Sequence, residues 1–248
     1  MWGFLKKTSV LLKRLRRFFR IEGLIVKPVL ITIDGPSAAG KSTVSRRLAQ
    51  QLGYTYVDTG ALYRAVALVA LSEGCARDDD SKMAKICRRL VLKFEKSSRG
   101  LRLYANGEDI TECIRTTEIA MVASALSARP VVREYLLDVQ REMGKDGGVV
   151  FEGRDMGTVV FPAAEVKFYL DADLDTRALR RYKELAARDA GISLAEVRGA
   201  IKKRDEDDSS RALAPLKPAR DAIRVDSTCL EIEQVVDEIL RHIRARAK

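Results

Sequence analysis

The residues best suited to chemistry form a short run of small side chains that ends in a lysine and two hydroxyls. In order, they are Gly35, Pro36, Ser37, Ala38, Ala39, Gly40, Lys41, Ser42 and Thr43. The spacing Gly-x-x-x-x-Gly-Lys-Ser is that of a P-loop, in which small residues let backbone N–H groups converge on phosphate oxygens. An apolar strand pattern that ends at Asp34 precedes the run, and a helical pattern through Leu52 follows it. The positive end of that helix dipole would add to the attraction for an anion.

The motif predicts a binding site for the phosphates of a nucleoside triphosphate. We expect Lys41 to reach the β- and γ-phosphates, and the Ser42 hydroxyl to ligate the Mg²⁺ that bridges them. The alternative interpretation is an ordinary glycine-containing turn between a strand and a helix. The flanking strand and helix patterns favour the P-loop.

A second group of polar residues follows the next predicted strand, Tyr54–Val57. Residues 58–64, with the sequence Asp-Thr-Gly-Ala-Leu-Tyr-Arg, lead into a predicted helix from about Ala61 to Ser72. Because ligands bind at the carboxyl ends of strands in parallel α/β sheets, Arg64 is a candidate for holding a second phosphate and Tyr63 for packing on a sugar or base. The alternative is a buried tyrosine and a solvated arginine.

Length and composition indicate an enzyme rather than a membrane or secreted protein. The chain of 248 residues can form one α/β domain with an insertion, or two small domains. No apolar run approaches the roughly 18 residues of a membrane-spanning helix. His242, the single histidine, lies between arginines, so we expect it to be solvated and histidine-based catalysis to be absent. Four cysteines without C-x-x-C spacing predict reduced thiols in a cytosolic protein: Cys75, Cys87, Cys113 and Cys229.

The net charge of +10 is concentrated at the N-terminus. Residues 1–27 carry eight Lys or Arg and one Glu, which leaves +3 for residues 28–248. Apolar and basic residues alternate in this segment at roughly helical spacing. It could lie on an anionic membrane surface, act as a targeting peptide, or be missing from the mature protein if translation begins near Val26. A nucleic-acid-binding role depends on this segment's charge alone, and we expect none.

The remaining patterns predict an α/β fold in which helices flank a parallel sheet and the phosphate loop lies at the carboxyl edge. The further predicted helices are Ser81–Leu90, Thr116–Ser127, Pro130–Met143, one from Leu174, Ser193–Ser209 and Leu230–Arg246. The further predicted strands are Val91–Lys96, Leu101–Ala105, Val149–Phe151, Val166–Leu170 and Ala222–Val225. The first two of these strands and an Asn106-Gly107 turn predict a small inserted hairpin.

The predicted strand Val149–Phe151 runs into a charged group at residues 152–155. Glu152 would stand at the end of a core strand, where a carboxylate can hold a magnesium-bound water. The alternative interpretation of this group is a surface ion pair between Arg154 and Asp155, which would contribute little to stability.

Five blocks of the sequence resemble bacterial cytidylate kinases. They are GPSAAGKST, VDTGALYR, EGRDMGTVVFP, KKRDEDDSSRALAP and VDST, in this order from about Val26 to the C-terminal helix. The resemblance implies a P-loop kinase core with helices on both faces of the sheet, an inserted β/α element that binds the nucleoside monophosphate, and a helical lid. It implies a kinase domain at residues 28–248, with the insert at about 60–145 and the lid at about 172–212, after an extension at 1–27.

The resemblance also implies a binding site for CMP. The residues it assigns are Thr59, Tyr63, Arg64, Ser124, Arg133, Arg154, Asp155, Arg204, Asp208 and Arg211. Ser124, Arg133 and Asp155 would contact the cytosine ring. Arg64 and Arg154 would bind the acceptor phosphate. Tyr63, Arg204 and Asp208 would lie near the ribose, with Arg211 reaching towards phosphate.

The chemistry of cytosine agrees with this assignment. Its amino group at position 4 donates and its N3 and O2 accept, so a carboxylate and a guanidinium, Asp155 and Arg133, form a complementary pair. Uracil reverses the pattern at positions 3 and 4. A buried site with mismatched donors and acceptors discriminates strongly, so CMP and dCMP should be preferred over UMP.

The predicted reaction is ATP-dependent phosphorylation of CMP and dCMP to CDP and dCDP, with Mg²⁺ as cofactor, by a monomeric cytoplasmic enzyme. No general base is required because the attacking atom is an anionic phosphate oxygen. Lys41 is a predicted catalytic residue. The resemblance implies that the lid brings arginines to the transferring phosphoryl group, with Arg180 and Arg204 the best candidates and Arg177 and Arg181 weaker ones. Taken alone, this highly charged pair of helices would be interpreted as a solvated surface. A kinase for UMP, AMP or a sugar would share the P-loop and the lid.

Overall fold

The computed structural model describes residues 19–21, 24–26, 28–97, 100–186 and 191–246. They divide into two units. The core unit comprises the described residues of three ranges: Met1–Val57, Asp146–Ser209 and Leu216–Lys248. The insert unit comprises those of two: Asp58–Lys145 and Ser210–Pro215.

The strands and helices alternate along the core unit and cluster by type in the insert. The strands are β1 Phe19–Ile21, β2 Leu24–Val26, β3 Leu30–Asp34, β4 Thr55–Asp58, β5 Leu92–Ser97, β6 Gly100–Ala105, β7 Glu108–Asp109, β8 Val149–Gly153, β9 Val166–Asp171 and β10 Ile223–Asp226. The helices are α1 Lys41–Leu52, α2 Thr59–Ser72, α3 Asp80–Arg89, α4 Thr117–Leu126, α5 Pro130–Gly144, α6 Leu174–Ala186, α7 Leu194–Ser210 and α8 Ile232–Arg246. A single π-helical turn occupies Met156–Val160.

The core unit is built on a five-stranded sheet in the order β10-β9-β3-β8-β4. The pairs β10–β9, β9–β3 and β3–β8 are parallel. Every residue of β3 is buried, as expected for the apolar strands of a parallel sheet. Ile31, Ile33 and Phe168 belong to one apolar cluster with Val44 of α1 and Ile239 of α8. The predicted α/β fold with a parallel sheet is confirmed.

The insert unit packs helices α2 to α5 around its own apolar cluster and carries the antiparallel sheet β5-β6-β7. The Asn106-Gly107 turn joins β6 to β7, and both of its residues have positive φ, of 50° and 88°. The sequence predicted two strands here and missed β7. A strand of two residues, Glu108–Asp109, is too short to show an alternating pattern.

Two element boundaries near the predicted site differ from expectation. The strand β4 ends at Asp58, whose side chain accepts a hydrogen bond from the Ala61 N–H at 3.2 Å and caps α2. The helix therefore begins at Thr59 rather than at Ala61. The strand β8 continues through Gly153, so Glu152 lies within the strand rather than after it.

The basic N-terminal segment lies largely outside the described residues, and so does its predicted membrane or targeting role. Its described part, Phe19–Ile21 and Leu24–Val26, forms an antiparallel strand pair, so the helical spacing was misleading there. Aromatic and β-branched residues such as Phe19, Ile21 and Ile25 favour strands. Among the described helices, none has both the length and the apolar character needed to cross a bilayer.

The histidine and the cysteines play no evident chemical role. All four cysteines are free thiols. His242 is half-buried rather than solvated, and its ring lies 6.4 Å from that of Phe168. The expected exposure of His242 was wrong because its neighbours in sequence are arginines, whereas Ile239, three residues earlier, places it beside the buried face of α8.

The loop between β3 and α1 passes very close to β9. Gly35 has a φ of 152°, and a Cβ at this position would lie 1.9 Å from the carbonyl oxygen of Leu170. Gly40 has a φ of 91° and N-caps α1, but a Cβ there would meet nothing within 4 Å. Gly35 is therefore required both because a side chain would not fit and because its φ is positive, whereas Gly40 is required by its positive φ alone.

We expect Gly35→Ala to lower the free energy of unfolding more than Gly40→Ala. The alanine at position 40 costs about 1 to 2 kcal/mol of backbone strain. The alanine at position 35 adds a backbone clash that requires strand movement, for at least about 2 kcal/mol more. Urea unfolding of both variants would measure the difference. Equal losses for the two variants would contradict this interpretation of Gly35.

Candidate active site

The P-loop leads directly into the N-terminus of α1. The helix begins at Lys41, has Gly40 as its N-cap, and among the described residues has no side-chain cap and no acidic residue in its first turn. An uncapped helix N-terminus directs backbone N–H groups and a positive dipole end outward, which suits phosphate oxygens. The loop thus has the geometry that the Gly-x-x-x-x-Gly-Lys-Ser spacing predicted.

Lys41 is a buried cation in a crowded electrostatic environment. Its Nζ donates a hydrogen bond to the Pro36 carbonyl oxygen at 2.5 Å. Burial, and after it the charge of Arg154, lower the pKa of Lys41 to about 7, against an opposing effect of Glu152. A bound phosphate would supply the negative charge that favours the protonated form of this lysine.

Ser42 and Glu152 place two oxygen ligands next to each other beside the P-loop. The Ser42 hydroxyl donates to Oε1 of Glu152 at 2.7 Å, and the Tyr56 hydroxyl donates to the same oxygen at 2.9 Å. Glu152 is buried on β8, so its position is fixed by the sheet. Hydroxyl and carboxylate oxygens are the ligands that Mg²⁺ prefers, so this pair fits the predicted metal role.

The described residues contain no larger metal-binding group. No cluster of three or more His, Cys, Asp or Glu suited to a metal ion occurs among them.

Asp34 is a buried carboxylate that the sequence interpretation did not assign. Its two oxygens accept hydrogen bonds from the N–H groups of Met156 and Gly157, at 2.9 and 2.7 Å. Burial raises the pKa of Asp34 to about 6, although these two hydrogen bonds act to lower it. An aspartate at the end of an otherwise apolar strand was the available signal. Its partners come from a π-helical turn that no spacing rule predicts.

The arginines of α6 have different environments. Arg180, a predicted catalytic residue, donates to Oγ of Ser227 at 3.0 Å and to the Ser227 carbonyl at 2.6 Å. Arg177 is buried and donates to the Ala172 carbonyl at 2.8 Å. Arg181 is exposed and pairs with Glu184. Arg177, one of the weaker candidates, therefore has the most enclosed position of the three.

Three predicted CMP-binding residues of the core unit are held near one another. Nε of Arg154 donates to Oδ2 of Asp208 at 2.8 Å, and the Asp208 side chain is only 2% exposed. Asp155 is buried, so the alternative of an exposed Arg154–Asp155 surface pair is wrong. The reason is tertiary: α7 supplies a second carboxylate to Arg154. Arg204 lies on an exposed part of the same helix, and its charge contributes to lowering the pKa of Lys41.

In the insert unit, Arg64 pairs with the residue that caps its own helix. Nη2 of Arg64 donates to Oδ2 of Asp58 at 2.6 Å, and both side chains are partly exposed. The alternative of a solvated Arg64 is therefore wrong. Thr59 is buried at the first position of α2, and Tyr63 packs partly buried against the apolar cluster of this unit.

Two of the other predicted residues of the insert unit share Ser127 as a neighbour, and the third follows α7. Nη1 of Arg133 donates to the Ser127 carbonyl at 3.0 Å, while Oγ of Ser127 donates to the Ser124 carbonyl at 2.6 Å. Ser127 thus joins two of the three residues that the resemblance assigned to the cytosine ring. Arg211 lies directly after α7 and is half-buried.

Comparison with known proteins identifies the family. The family model described as "Cytidylate kinase" matches residues 31–245. The chain belongs to the cytidylate kinase family. A cytidylate kinase of Geobacter sp. (strain M21) is 50% identical over 218 residues, covering 88% of this chain and 94% of that protein. One of Geobacter sulfurreducens is 49% identical over 220 residues, covering 89% and 94%. The resemblance stated from the sequence is confirmed.

Solved structures of other small-molecule kinases align with most of the length of this chain. A gluconokinase from Sinorhizobium meliloti has a TM-score of 0.48 and 15% identity, covering 90% of this chain and 95% of its own. A shikimate kinase from Acinetobacter baumannii has a TM-score of 0.46 and 14% identity, covering 88% and 94%.

The low pKa of Lys41 predicts how ATP use depends on pH. A lysine is charged below its pKa, so in the free enzyme the charge at Lys41 is lost as the pH rises through about 7. We expect kcat/KM for ATP to fall above that pH, approaching about tenfold per pH unit. Lys41→Arg keeps its charge throughout and should give a flat profile at a lower level. A flat profile for the unmodified enzyme between pH 6 and 9 would contradict the prediction.

Proposed function

We propose that this chain transfers the γ-phosphoryl group of ATP directly to CMP and dCMP, with Mg²⁺ present, giving CDP and dCDP. The observation that carries the proposal is the family match over residues 31–245, which encloses the complete P-loop. ATP use and CMP phosphorylation follow from membership of the family. The assignment of individual residues, the metal and the dCMP activity are the proposed part.

The phosphate-binding part of the mechanism uses the backbone of Gly35–Thr43 and the side chain of Lys41. Ser42, and Glu152 through a water molecule, would hold Mg²⁺, which when bound neutralises charge between the β- and γ-phosphates. Burial of Lys41 supports its role, because a cation in a dry site attracts an oxyanion more strongly than one in water.

The acceptor part assigns residues of both units to CMP. The cytosine ring is assigned to Ser124, Arg133 and Asp155, and the acceptor phosphate to Arg64 and Arg154. The hydrogen bonds that hold Arg64 to Asp58 and Arg154 to Asp208 support these roles, because an oriented guanidinium binds phosphate with less loss of side-chain entropy.

Five assigned residues complete the acceptor part. Tyr63, Arg204 and Asp208 are assigned to the ribose side, Arg211 to phosphate, and Thr59 to the CMP site as a whole. The burial of Asp208 and Thr59 supports fixed positions for these two.

Transfer itself requires positive charge around the moving phosphoryl group. No base need remove a proton, because the acceptor phosphate oxygen is already anionic. We assign the stabilisation of the transition state to Lys41, Arg180 and Arg204. The helices α6 and α7, within residues 172–212, are proposed to close over ATP and exclude water, and the unit around Asp58–Lys145 is proposed to bind the monophosphate.

The proposed enzyme acts as a monomer in the cytoplasm, without nucleic acid. The four free cysteines support a reducing compartment. A membrane-surface role for residues 1–27 stays a prediction.

A substrate panel tests the activity and the cytosine assignment together. With ATP and Mg²⁺, CMP and dCMP should be phosphorylated much faster than UMP or AMP, as measured by ADP and CDP formation. Asp155→Asn should lower kcat/KM for CMP by about 10- to 100-fold, because a charged hydrogen bond to the amino group of cytosine is lost. Asp237→Asn, at an exposed position of α8, is the control. Equal use of UMP by the unmodified enzyme would refute the proposal.

Arg180 provides a test of the transition-state assignment. Arg180→Ala should lower kcat by roughly 10³-fold, as for other arginines that contact a transferring phosphoryl group, with a much smaller change in CMP affinity. Arg241→Ala on the exposed side of α8 serves as the matched control. A loss of CMP affinity with turnover retained would show that Arg180 acts elsewhere.

A further inference from the structure

The backbone of Ser37 in the P-loop is bound at both its N–H and its carbonyl oxygen by charged side chains. Its N–H donates to Oδ1 of Asp205 at 3.2 Å, and its carbonyl oxygen accepts from Nη1 of Arg177 at 3.2 Å. The same Nη1 donates to Oδ2 of Asp205, which closes the arrangement. We call Ser37, Arg177 and Asp205 the P-loop clasp. All three residues belong to the core unit.

The clasp is enclosed and anchored from α6. The Arg177 side chain is 9% exposed and that of Asp205 is 18% exposed. Nε of Arg177 also donates to the Ala172 carbonyl, just after β9, at 2.8 Å. Charge-assisted hydrogen bonds in such a dry environment are stronger and shorter than those at the surface. Arg177 therefore links the end of β9 to the P-loop and to α7.

The clasp also fixes the orientation of α7. Asp205 and Asp208 are three residues apart and so share one face of the helix. Asp205 contacts Ser37, and Asp208 contacts Arg154, so two carboxylates attach this face to the core unit. Arg204 is adjacent to Asp205, so its position relative to Lys41 depends on this attachment.

We infer that Arg177 and Asp205 are positioning residues for phosphoryl transfer. They hold the N–H and the carbonyl oxygen of Ser37 so that the P-loop keeps its shape, and they hold α7 so that Arg204 stays near Lys41. If Asp205 only competed with phosphate for the Ser37 N–H, ATP binding would displace its carboxylate. Release would leave the buried guanidinium of Arg177 without its counter-charge, which is costly. This inference rests on the proposed function, because it assigns the residues to the same reaction.

The test compares two neighbouring acidic residues of α7. Asp205→Asn keeps the size of the side chain and one acceptor oxygen but removes the charge. We expect kcat to fall by about 10- to 100-fold, with KM for ATP raised by up to about tenfold, since small misplacements of catalytic groups have effects of this size. Glu206→Gln makes the same chemical change one residue later, where the side chain is exposed and its ion pair with Lys202 is 3.9 Å long. It should behave as the unmodified enzyme.

Two further variants separate positioning from stability. Asp205→Glu should restore part of the activity because it restores the charge. Arg177→Lys keeps the charge but loses the fork that contacts Ala172 and Ser37, so its kcat should also fall. Because the two residues act together, the double variant of Arg177→Lys and Asp205→Asn should lose no more activity than the worse single variant. In every variant that lowers kcat, the ratio of the rate of ATP hydrolysis, measured without CMP, to the rate of phosphoryl transfer to CMP should rise.

The outcomes are distinguishable. A lower thermal stability with normal kcat, KM and hydrolysis ratio in Asp205→Asn would overturn the inference and leave a structural contact. A decrease in KM for ATP would overturn it in favour of competition with phosphate. If Asp205→Asn does not fold, Asp205→Glu and Arg177→Lys decide by the same criteria. If the unmodified chain fails to phosphorylate CMP, the proposed function is wrong. The clasp is then tested by the affinity for a non-hydrolysable ATP analogue. That affinity should weaken about tenfold in Asp205→Asn.

Discussion

Lys41 must remain charged in a place where burial favours its neutral form, and much of the site can be understood from that conflict. Desolvation and the positive charge of Arg154 lower its pKa, while Glu152 and Asp34 act in the opposite direction. The carboxylates are themselves buried on adjacent strands. Such an arrangement is poorly balanced without an anion, and in the proposed function the phosphates of ATP supply the missing negative charge.

The sheet provides the rigidity that this balance requires. Asp34 and Glu152 lie at the carboxyl ends of the neighbouring parallel strands β3 and β8. The P-loop leaves β3 with its first glycine pressed against the Leu170 carbonyl of β9. Because the backbone is fixed on both sides, the loop can hold its N–H groups ready for phosphate without a large loss of entropy on binding.

Three arginines of the proposed site each form a pair with an aspartate. Arg64 pairs with Asp58, Arg154 with Asp208, and Arg177 with Asp205. Each aspartate limits the conformations of its arginine, and the partial burial of these pairs makes them stronger than surface ion pairs. A protein that must bring two polyanions together gains from arginines that are oriented before either substrate binds. The aspartates therefore matter as much as the arginines that the sequence made prominent.

The sequence by itself determined the fold class, the family and the phosphate-binding loop. These rest on local patterns, namely apolar strands, helical periodicity and the spacing from Gly35 to Thr43, in which each residue acts through its near neighbours in the chain. The N-cap of α2 at Asp58 and the third strand of the insert depended on one or two residues, too few for a periodic pattern. Tertiary structure alone decided that Asp34 would be buried against a π-helical turn, that Arg154 would pair with Asp208 rather than with its neighbour Asp155, and that Asp205 would reach a peptide group 168 residues earlier. Their partners are distant in sequence, and packing brings them together.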